Sequence, residues 1–349
     1  MADATALPSL ARRVGTGTGI ALAAAAVLLV SVIVAVSVGS VAVPLGTVWG
    51  VALDRILPGV VAPDWSAGQA NIVWEIRFPR VILAGLVGAG LGLVGAALQA
   101  VTRNPLADPH LLGISSGGAF GAIAALLHTG LFLGLLTVPL MAFGGALVAT
   151  VLVLGVAQLA GASSADRLVL AGVAVSFVIM ACANILIFLG DPRATHTVVF
   201  WMLGGLGLAQ WNHLIWPTLA LLPCALWLWA QAGRLNAMSL GDETAASLGI
   251  EVGRFRLTVF VVAALITGAM VAFSGLIGFV GLMMPHLVRL FLGGDNARVL
   301  PASAFAGAVF LILADAGARV VMAPEDMPIG VVTCLTGGVF FIWMMARRR

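Results

Sequence analysis

The sequence contains no lysine and no tyrosine, so arginine supplies all 17 of its cationic side chains. A P-loop needs a lysine on the nucleotide phosphates, and a Schiff-base enzyme needs one as its nucleophile. Both kinds of site are therefore excluded within this chain. Charged residues of either sign make up only 9% of the 349 residues, against roughly a quarter in soluble domains. This scarcity excludes an ordinary soluble protein.

Cysteine is also scarce. Cys182, Cys224 and Cys334 each lie inside an apolar run, and no two of them form a C-x-x-C pair. Neither a disulfide framework nor a zinc site is indicated, and we interpret the three as small core residues. The net charge of +3 comes from arginines scattered between apolar runs. Because they form no basic stripe, a nucleic-acid partner is not expected.

Apolar residues make up 61% of the chain, and its mean hydropathy is +1.14. This composition predicts one membrane domain over residues 1–349, embedded in a lipid bilayer. The first apolar run, 20–38, follows Arg12 and Arg13 and could be a signal peptide. It lacks a clear small-x-small cleavage site before a polar mature start, which favours a retained first helix.

Hydropathy alone predicts eight to ten membrane helices, since each crossing needs about 20 residues. The uncharged run 111–165 must hold two crossings. The run 257–288 is too short for two unless its helices extend past Arg256 and Arg289.

The arginines predict the orientation, because cytoplasmic loops retain an excess of positive charge. On a ten-helix map with both termini in the cytoplasm, twelve arginines lie inside and five outside. The outer five are Arg55, Arg77, Arg80, Arg193 and Arg319.

Small residues recur every four positions in two of the runs. They are Ala84, Gly88, Gly92 and Ala96 in the first, and Gly117 and Gly121 in the second. Such spacing lets helix backbones approach closely in lipid, which predicts tight packing within one bundle.

Several motifs occur in a fixed order along the chain. They are Arg77-Phe-Pro-Arg80, Gln99 with the Asn-Pro and Asp-Pro breakers of 103–109, 170–174, 200–205 with Trp211, 239–249, 275–282, 285–289, Asp315 with Arg319, and 327–333. By physical chemistry alone the breakers stop helices, and Gln99 is typical of a hydrogen-bond partner between helices. From about Val43 to the end, the set resembles the permease subunits of type II ABC importers for iron–siderophore complexes, haem or cobalamin.

This resemblance implies an all-α polytopic permease fold with about ten transmembrane helices in the inner (cytoplasmic) membrane. It implies a homodimer that pairs with two copies of an ABC ATPase subunit and receives cargo from a periplasmic substrate-binding protein. No catalytic residue, metal site or cofactor is expected in this chain, and ATP and Mg²⁺ would bind to the partner ATPase.

The longest polar break is the segment 235–252. Ser239 and Asp242 have the spacing of a capping box, and Gly249 is placed as a left-handed residue after a helix, which predicts a short helix over 240–248. An ordinary solvated connector would fit as well. The resemblance implies a coupling loop that docks into the ATPase, with contacts at Asp242, Glu243, Ala245, Ala246, Leu248 and Gly249.

The outer arginines oppose the usual charge bias. Arg77 and Arg80 could be snorkelling membrane anchors. The resemblance implies that they and Arg319 dock acidic residues of the binding protein, for which a guanidinium group is well suited.

The resemblance also implies a route between two permease copies. Ser163 and Ser164 match its cytoplasmic gate, although a simple turn is an equal alternative. Trp201, Gly204 and Gly205 match a bend beside the route.

The five histidines are dispersed, and a lone histidine is more often a hydrogen-bonding residue than a metal ligand. Asp315 and Arg319 have the i, i+4 spacing of a pair on one helix face. The same pair could mark a proton relay, so a proton-coupled secondary transporter is the rival class. Haem is the favoured cargo, with ferric siderophores and cobalamin as alternatives.

Overall fold

The computed structural model describes residues 10–160 and 165–347, and within those ranges it contains helices and no strand. The α-helices are α1 (Leu10–Ser37), α2 (Leu45–Ile56), α3 (Ala67–Asn71), α4 (Phe78–Thr102), α5 (Ile114–Ala124), α6 (Thr137–Leu159), α7 (Ala165–Leu189), α8 (Pro192–Met202), α9 (Ile215–Ala230), α10 (Ala232–Leu240), α11 (Asp242–Ser247), α12 (Val252–Ser274), α13 (Val280–Leu292), α14 (Asn296–Val321) and α15 (Ile329–Arg347).

Ten apolar helical segments among the described residues correspond to the expected membrane helices. Seven are long and apolar enough to cross a bilayer, and three are shorter. The long ones are Ala67–Thr102, Gly134–Leu159, Arg167–Leu189, Trp211–Ala230, Val252–Ser274, Asn296–Val321 and Ile329–Arg347, and the shorter ones are Leu22–Ser37, Ile114–Thr129 and Val280–Leu292. The prediction of an all-α fold with about ten such helices is confirmed.

The run that was too short for two crossings forms α12, which is long enough to cross a bilayer, and α13, which is one of the shorter apolar helices. The two helices extend to Val252 and Leu292, past the arginines that bound the apolar run. Between them the chain reverses where Gly275 and Phe279 have φ values of +65° and +68°. Glycine adopts this region at no steric cost, and the break therefore begins at Gly275.

Helix α4 lies at the centre of the bundle, with most of its residues buried. It packs along α14 and also contacts α12 and α13. A Cβ atom on Gly88 would lie 2.1 Å from the carbonyl oxygen of Gly307, and one on Gly92 would lie 2.3 Å from that of Ser303. The glycines of the four-residue repeat therefore allow backbone contact with α14, as their spacing predicts.

A second close crossing joins α5 and α6. Cβ atoms on Gly117 and Gly121 would lie 2.3 and 2.0 Å from the carbonyl oxygens of Gly145 and Met141. Both small-residue repeats therefore pack helices together inside one chain, as expected.

The bundle has two chemically distinct ends, which α4 connects. Its first turn carries Arg80, next to Arg77, and we call this the arginine end; Arg319 belongs to the same end. Its last residue precedes Arg103, which lies beside Asp242 at what we call the coupling end.

The cysteines correct one expectation. Cys182 and Cys334 are exposed on the surface of this single chain, and Cys224 is half-buried. They are not core residues, because the apolar runs that contain them form outward faces of the bundle.

Candidate functional site

The predicted coupling segment forms two short helices, α10 and α11, separated by Gly241 with a φ of +132°. Ser239 is not the N-cap expected from the sequence, because its hydroxyl donates to the carbonyl of Leu235 within α10, at 2.9 Å. The predicted helix over 240–248 therefore starts two residues late, at Asp242.

The end of α11 agrees with the sequence. Gly249 has a φ of +79°, and its N–H donates to the carbonyl of Ala246 at 2.9 Å. The N–H of Ile250 donates to the carbonyl of Ala245 at 3.1 Å. These two bonds form a Schellman motif, which stops α11 in a defined orientation.

Asp242 points into the protein. Nη2 of Arg256 on α12 donates to both of its carboxylate oxygens, at 2.7 and 2.8 Å. The side chain of Arg256 is only 1% exposed, and its Nε donates to the carbonyl of Val101 at the end of α4. Arg103 adds a longer ion pair at 3.6 Å. The carboxylate thus joins α11 to α12 and to the end of α4.

The other predicted coupling residues divide between two faces. Ala245 is completely buried, so it packs α11 onto the bundle. Glu243, Ala246, Leu248 and Gly249 are exposed, and Leu248 presents an apolar side chain that is 65% accessible. Glu243 and Leu248 are therefore both accessible to a partner at this end of the protein.

The arginines expected to dock a binding protein are buried within this chain, and their docking role stays a prediction. Arg77 is 4% exposed. It donates from Nη1 to the carbonyls of Val36 and Ser37, at 3.0 and 3.2 Å, and from Nη2 to that of Val41. Its guanidinium group therefore neutralises the carbonyl end of α1.

Arg80 and Arg319 share one carboxylate, that of Asp315. Arg80 Nη2 lies 2.9 Å from Asp315 Oδ1, and Arg319 Nε lies 3.1 Å from Oδ2. Arg319 also donates to the carbonyls of Ala35 on α1 and of Val38 directly after it, at 2.8 Å each. The predicted i, i+4 pair of Asp315 and Arg319 is present within a larger cluster.

Asp326, in the turn between α14 and α15, completes this cluster by pairing with Arg80 Nη1. The sequence analysis missed its role because it lies 246 residues from Arg80. Arg256 was missed because it and Asp242 lie on separate helices, so no spacing within one helix indicates the pair. Hydrogen bonds and ion pairs of three arginines and two carboxylates thus connect α1, α4 and α14 at the arginine end.

The predicted bend follows α8, which contains Trp201. Gly204 has a φ of +76°, and the N–H of Gly205 donates to the carbonyl of Ser274 at 2.8 Å. The N–H groups of Ile329 and Gly330, in the first turn of α15, donate to the carbonyls of Gly204 and Leu203, at 3.1 Å each. The bend is therefore hydrogen-bonded to α12 and α15.

A cavity of about 540 Å³ borders this bend at the arginine end of the bundle. Trp201, Gly204 and Gly205 all line it, together with mostly apolar side chains from α6, α12 and the start of α15. Arg80 and Asp326 also reach its wall. The predicted gate residues, Ser163 and Ser164, lie outside the described residues.

Two further polar side chains, those of Gln99 and His110, make contacts between separate parts of the chain. Gln99 donates to the carbonyl of Leu282 at 3.3 Å and accepts a hydrogen bond from Arg289, so it connects α4 to α13 as expected. His110 bonds to the carbonyl of Ile277 at 2.8 Å and to Ser115 Oγ at 2.5 Å. Both ring nitrogens are thereby engaged in structural contacts.

Comparison with known proteins identifies the family of this chain. A model of the FecCD transport family matches residues 27–347. The chain belongs to the FecCD transport family. The resemblance to type II ABC importer permeases is thus confirmed, and this FecCD protein is a multi-span permease subunit of such an importer.

Curated relatives cover most of the FecCD chain. The hemin transport system permease protein HmuU of Yersinia pestis is 38% identical over 292 residues, which is 82% of this chain and 87% of that protein. The vitamin B12 import system permease protein BtuC of Citrobacter koseri is 39% identical over 296 residues, or 83% and 88%.

Solved structures agree on the fold. A structure described as an inward-facing metal-chelate type ABC transporter superposes with a TM-score of 0.80 at 28% identity, covering 95% of this chain and 99% of that one. PsaBC from Streptococcus pneumoniae in complex with Fab gives a TM-score of 0.52 at 19% identity, covering 75% and 88%, and shares the fold alone.

Proposed function

We propose that this FecCD permease is a passive gate, driven by two copies of a separate ABC ATPase subunit that bind ATP and Mg²⁺. The chain has no lysine with which to build a P-loop and no proposed catalytic residue or cofactor of its own. The energy for transport must then reach it through contact with a partner.

One observation carries this proposal, namely that helix α12 links the coupling end to the cavity. Near its first turn, Arg256 binds Asp242 of α11. At its other end, Phe273 and the following Gly275 line the cavity. An ATPase that moves the exposed face of α11, with Glu243 and Leu248, would therefore displace a helix that borders the cavity.

The ion pairs of Asp315 support an ATP-driven gate over a proton-coupled carrier. A proton relay needs an acid that is free to bind and release a proton. Asp315 is buried and forms ion pairs with both Arg80 and Arg319, so both of its carboxylate oxygens are already engaged in fixed contacts.

The same end of the bundle suggests where a binding protein docks. In the proposed orientation both termini and α11 face the cytoplasm, and the arginine end faces the periplasm across the inner membrane. Arg77, Arg80 and Arg319 then act indirectly, because they hold α1, α4 and α14 in the positions that shape the docking surface. This indirect role replaces, in our proposal, the direct contact of the three arginines with acidic residues of the binding protein.

A homodimer is supported by the surface of α7. Only 17% of the most apolar stretch of this helix is buried within the chain, against 78% for the segment that contains α4. Asn184 is exposed on α7 among apolar neighbours. An amide group is poorly accommodated by hydrocarbon, so a second copy and the route between copies are better neighbours than lipid.

Haem is the cargo that we propose, with ferric siderophores and cobalamin as alternatives. The relatives that transport hemin and vitamin B12 indicate a large metal chelate as the cargo class. The cavity beside the bend is lined mainly by apolar side chains, which suits a flat macrocycle.

The test is uptake into vesicles that contain the permease, its ATPase and its binding protein. We expect hemin to accumulate when ATP is enclosed with the ATPase, and vesicles without the ATPase to remain empty. Cyanocobalamin and a ferric siderophore are assayed in parallel, and preference for either one would reassign the cargo. Accumulation driven by a pH difference without any ATPase would overturn the proposed function.

A further inference from the structure

The cavity at the arginine end combines an apolar wall with one ion pair. Among the described residues that line it, Arg80 and Asp326 are the only arginine and the only carboxylate. The remaining wall consists largely of leucine, phenylalanine, proline and backbone surface. A guanidinium group in such a wall binds carboxylates through charge-assisted hydrogen bonds, and Arg80 already holds two carboxylates in this way.

The two partners of Arg80 differ in how firmly they are held. Asp315 contacts Nε and Nη2, and its side chain is only 1% exposed. Asp326 contacts Nη1, and its side chain is 41% exposed. Asp315 thus holds the guanidinium group in place, while Asp326 can turn towards solvent without moving Arg80.

We propose that this cavity binds an apolar chelate carrying a carboxylate, with that carboxylate replacing Asp326 on Nη1 of Arg80. The inference rests on the proposed function and deepens it, since it selects cargo with an acidic substituent, such as a metalloporphyrin with propionate groups. No covalent bond is made or broken, and the carboxylate of the displaced Asp326 becomes hydrated.

Gly207 keeps the approach to Nη1 open. It is exposed and lines the cavity, and a Cβ atom built on it would lie 3.8 Å from Arg80 Nη1. A methyl group would merely touch the guanidinium group, but a larger side chain would occupy the space that a ligand carboxylate needs. Its backbone is not in the left-handed region, so a side chain is not strained there.

The proposal is tested by binding to the full-length permease in nanodiscs, followed by the Soret absorbance. Hemin and hemin dimethyl ester share the ring and the metal and differ in the two carboxylates. We expect hemin to bind about tenfold more tightly, the effect of one charge-assisted contact. Equal affinities would overturn the proposal while leaving the proposed transport of hemin intact.

Two variants locate the contact. Asp326→Asn removes the competing anion and should tighten hemin binding severalfold without changing binding of the ester. Gly207→Leu should weaken hemin binding about tenfold, whereas Gly144→Leu, at an open position outside the cavity, should not. If Gly207→Leu does not fold, Asp326→Asn and the ester still decide, and no change in Asp326→Asn would contradict the proposed exchange.

Two further outcomes separate the alternatives. Oleate carries a carboxylate on a flexible apolar chain. If an equal concentration of oleate displaced hemin, the cavity would be assigned to a membrane fatty acid, and the proposal that it binds a chelate would be overturned. If binding behaves as proposed but vesicles do not accumulate hemin, the carboxylate site stands and the assignment of haem as cargo is wrong.

Discussion

Arg256 and Asp242 form an ion pair between a buried guanidinium group and a partly buried carboxylate, with exposed side-chain fractions of 1% and 34%. The arginine belongs to the membrane helix α12 and the aspartate to α11. The pair therefore fixes the orientation of the proposed ATPase-contacting helix relative to a helix that reaches the cavity.

Replacing Asp242 with asparagine should destabilise the permease, because the buried Arg256 would lose its ion pair with both carboxylate oxygens. We expect a loss of about 1–3 kcal/mol, since a buried charged group loses its partner. Thermal unfolding of the purified protein measures it. Glu243→Gln, a matched change at the exposed neighbouring acid, is the control, and equal unfolding temperatures for the two variants would contradict the burial argument.

Substitutions on the exposed face of α11 should affect coupling and leave stability unchanged. Glu243→Ala and Leu248→Ala should shift the unfolding free energy by less than about 0.5 kcal/mol, as is usual for surface positions. Each should weaken association with the ATPase, by about 1 kcal/mol or more if it contributes a central contact. Affinity and the number of cargo molecules moved per ATP are measured. Unaltered association and uptake would reject this face as the coupling surface.

The carboxylate of Asp315 should be the most sensitive group at the arginine end. Asp315→Asn leaves Arg80 and Arg319 buried around a neutral amide, which should cost about 3–5 kcal/mol. Asp326→Asn should cost about 1 kcal/mol or less, because its side chain is partly exposed. Chemical or thermal unfolding compares the two, and a larger loss in Asp326→Asn would show that the shared carboxylate is not the centre of the cluster.

The crossing of α4 and α14 should not tolerate a methyl group. Gly88→Ala would bring a Cβ atom to 2.1 Å from the carbonyl oxygen of Gly307, so one helix must move. We expect destabilisation of about 1–3 kcal/mol or more. The control is Gly144→Ala, where the added Cβ atom meets open space. Yield of folded protein and unfolding temperature are the measurements, and similar values for both variants would contradict the close contact.

Asp295 at the start of α14 gives a pH dependence with a defined sign. A hydrogen bond from Asn236 on α10, followed in importance by one from the N–H of Ala297, lowers the pKa of Asp295 below its ordinary value of 3.8. Its contribution is therefore complete above that ordinary value and is lost as the pH falls through the lowered pKa. The difference in stability between the wild type and Asp295→Ala should stay constant from neutral pH to about 4 and shrink below it. A difference that already changes between pH 5 and 8 would contradict this assignment.

The membrane helices and their packing faces could be predicted from the chain because both depend on local patterns. Uninterrupted apolar length predicts a crossing, and glycine every fourth residue predicts a close contact such as that of Gly88 with Gly307. Gly249 likewise ended α11 as expected. Ser239 did not cap the start of the next helix as predicted, because its hydroxyl donates to the carbonyl of Leu235 within α10.

Residue order thus established a polytopic permease of the FecCD family, since hydropathy and motifs are properties of contiguous sequence. Only the tertiary structure showed which charged side chains form internal ion pairs and which are exposed to a partner. Arg80 pairs with carboxylates 235 and 246 residues away, and no local pattern encodes such a distance. Arg77, Arg80 and Arg319 are buried and paired with backbone carbonyls or carboxylates, because a charged group in a membrane protein is stabilised by the partners that the packed helices bring to it.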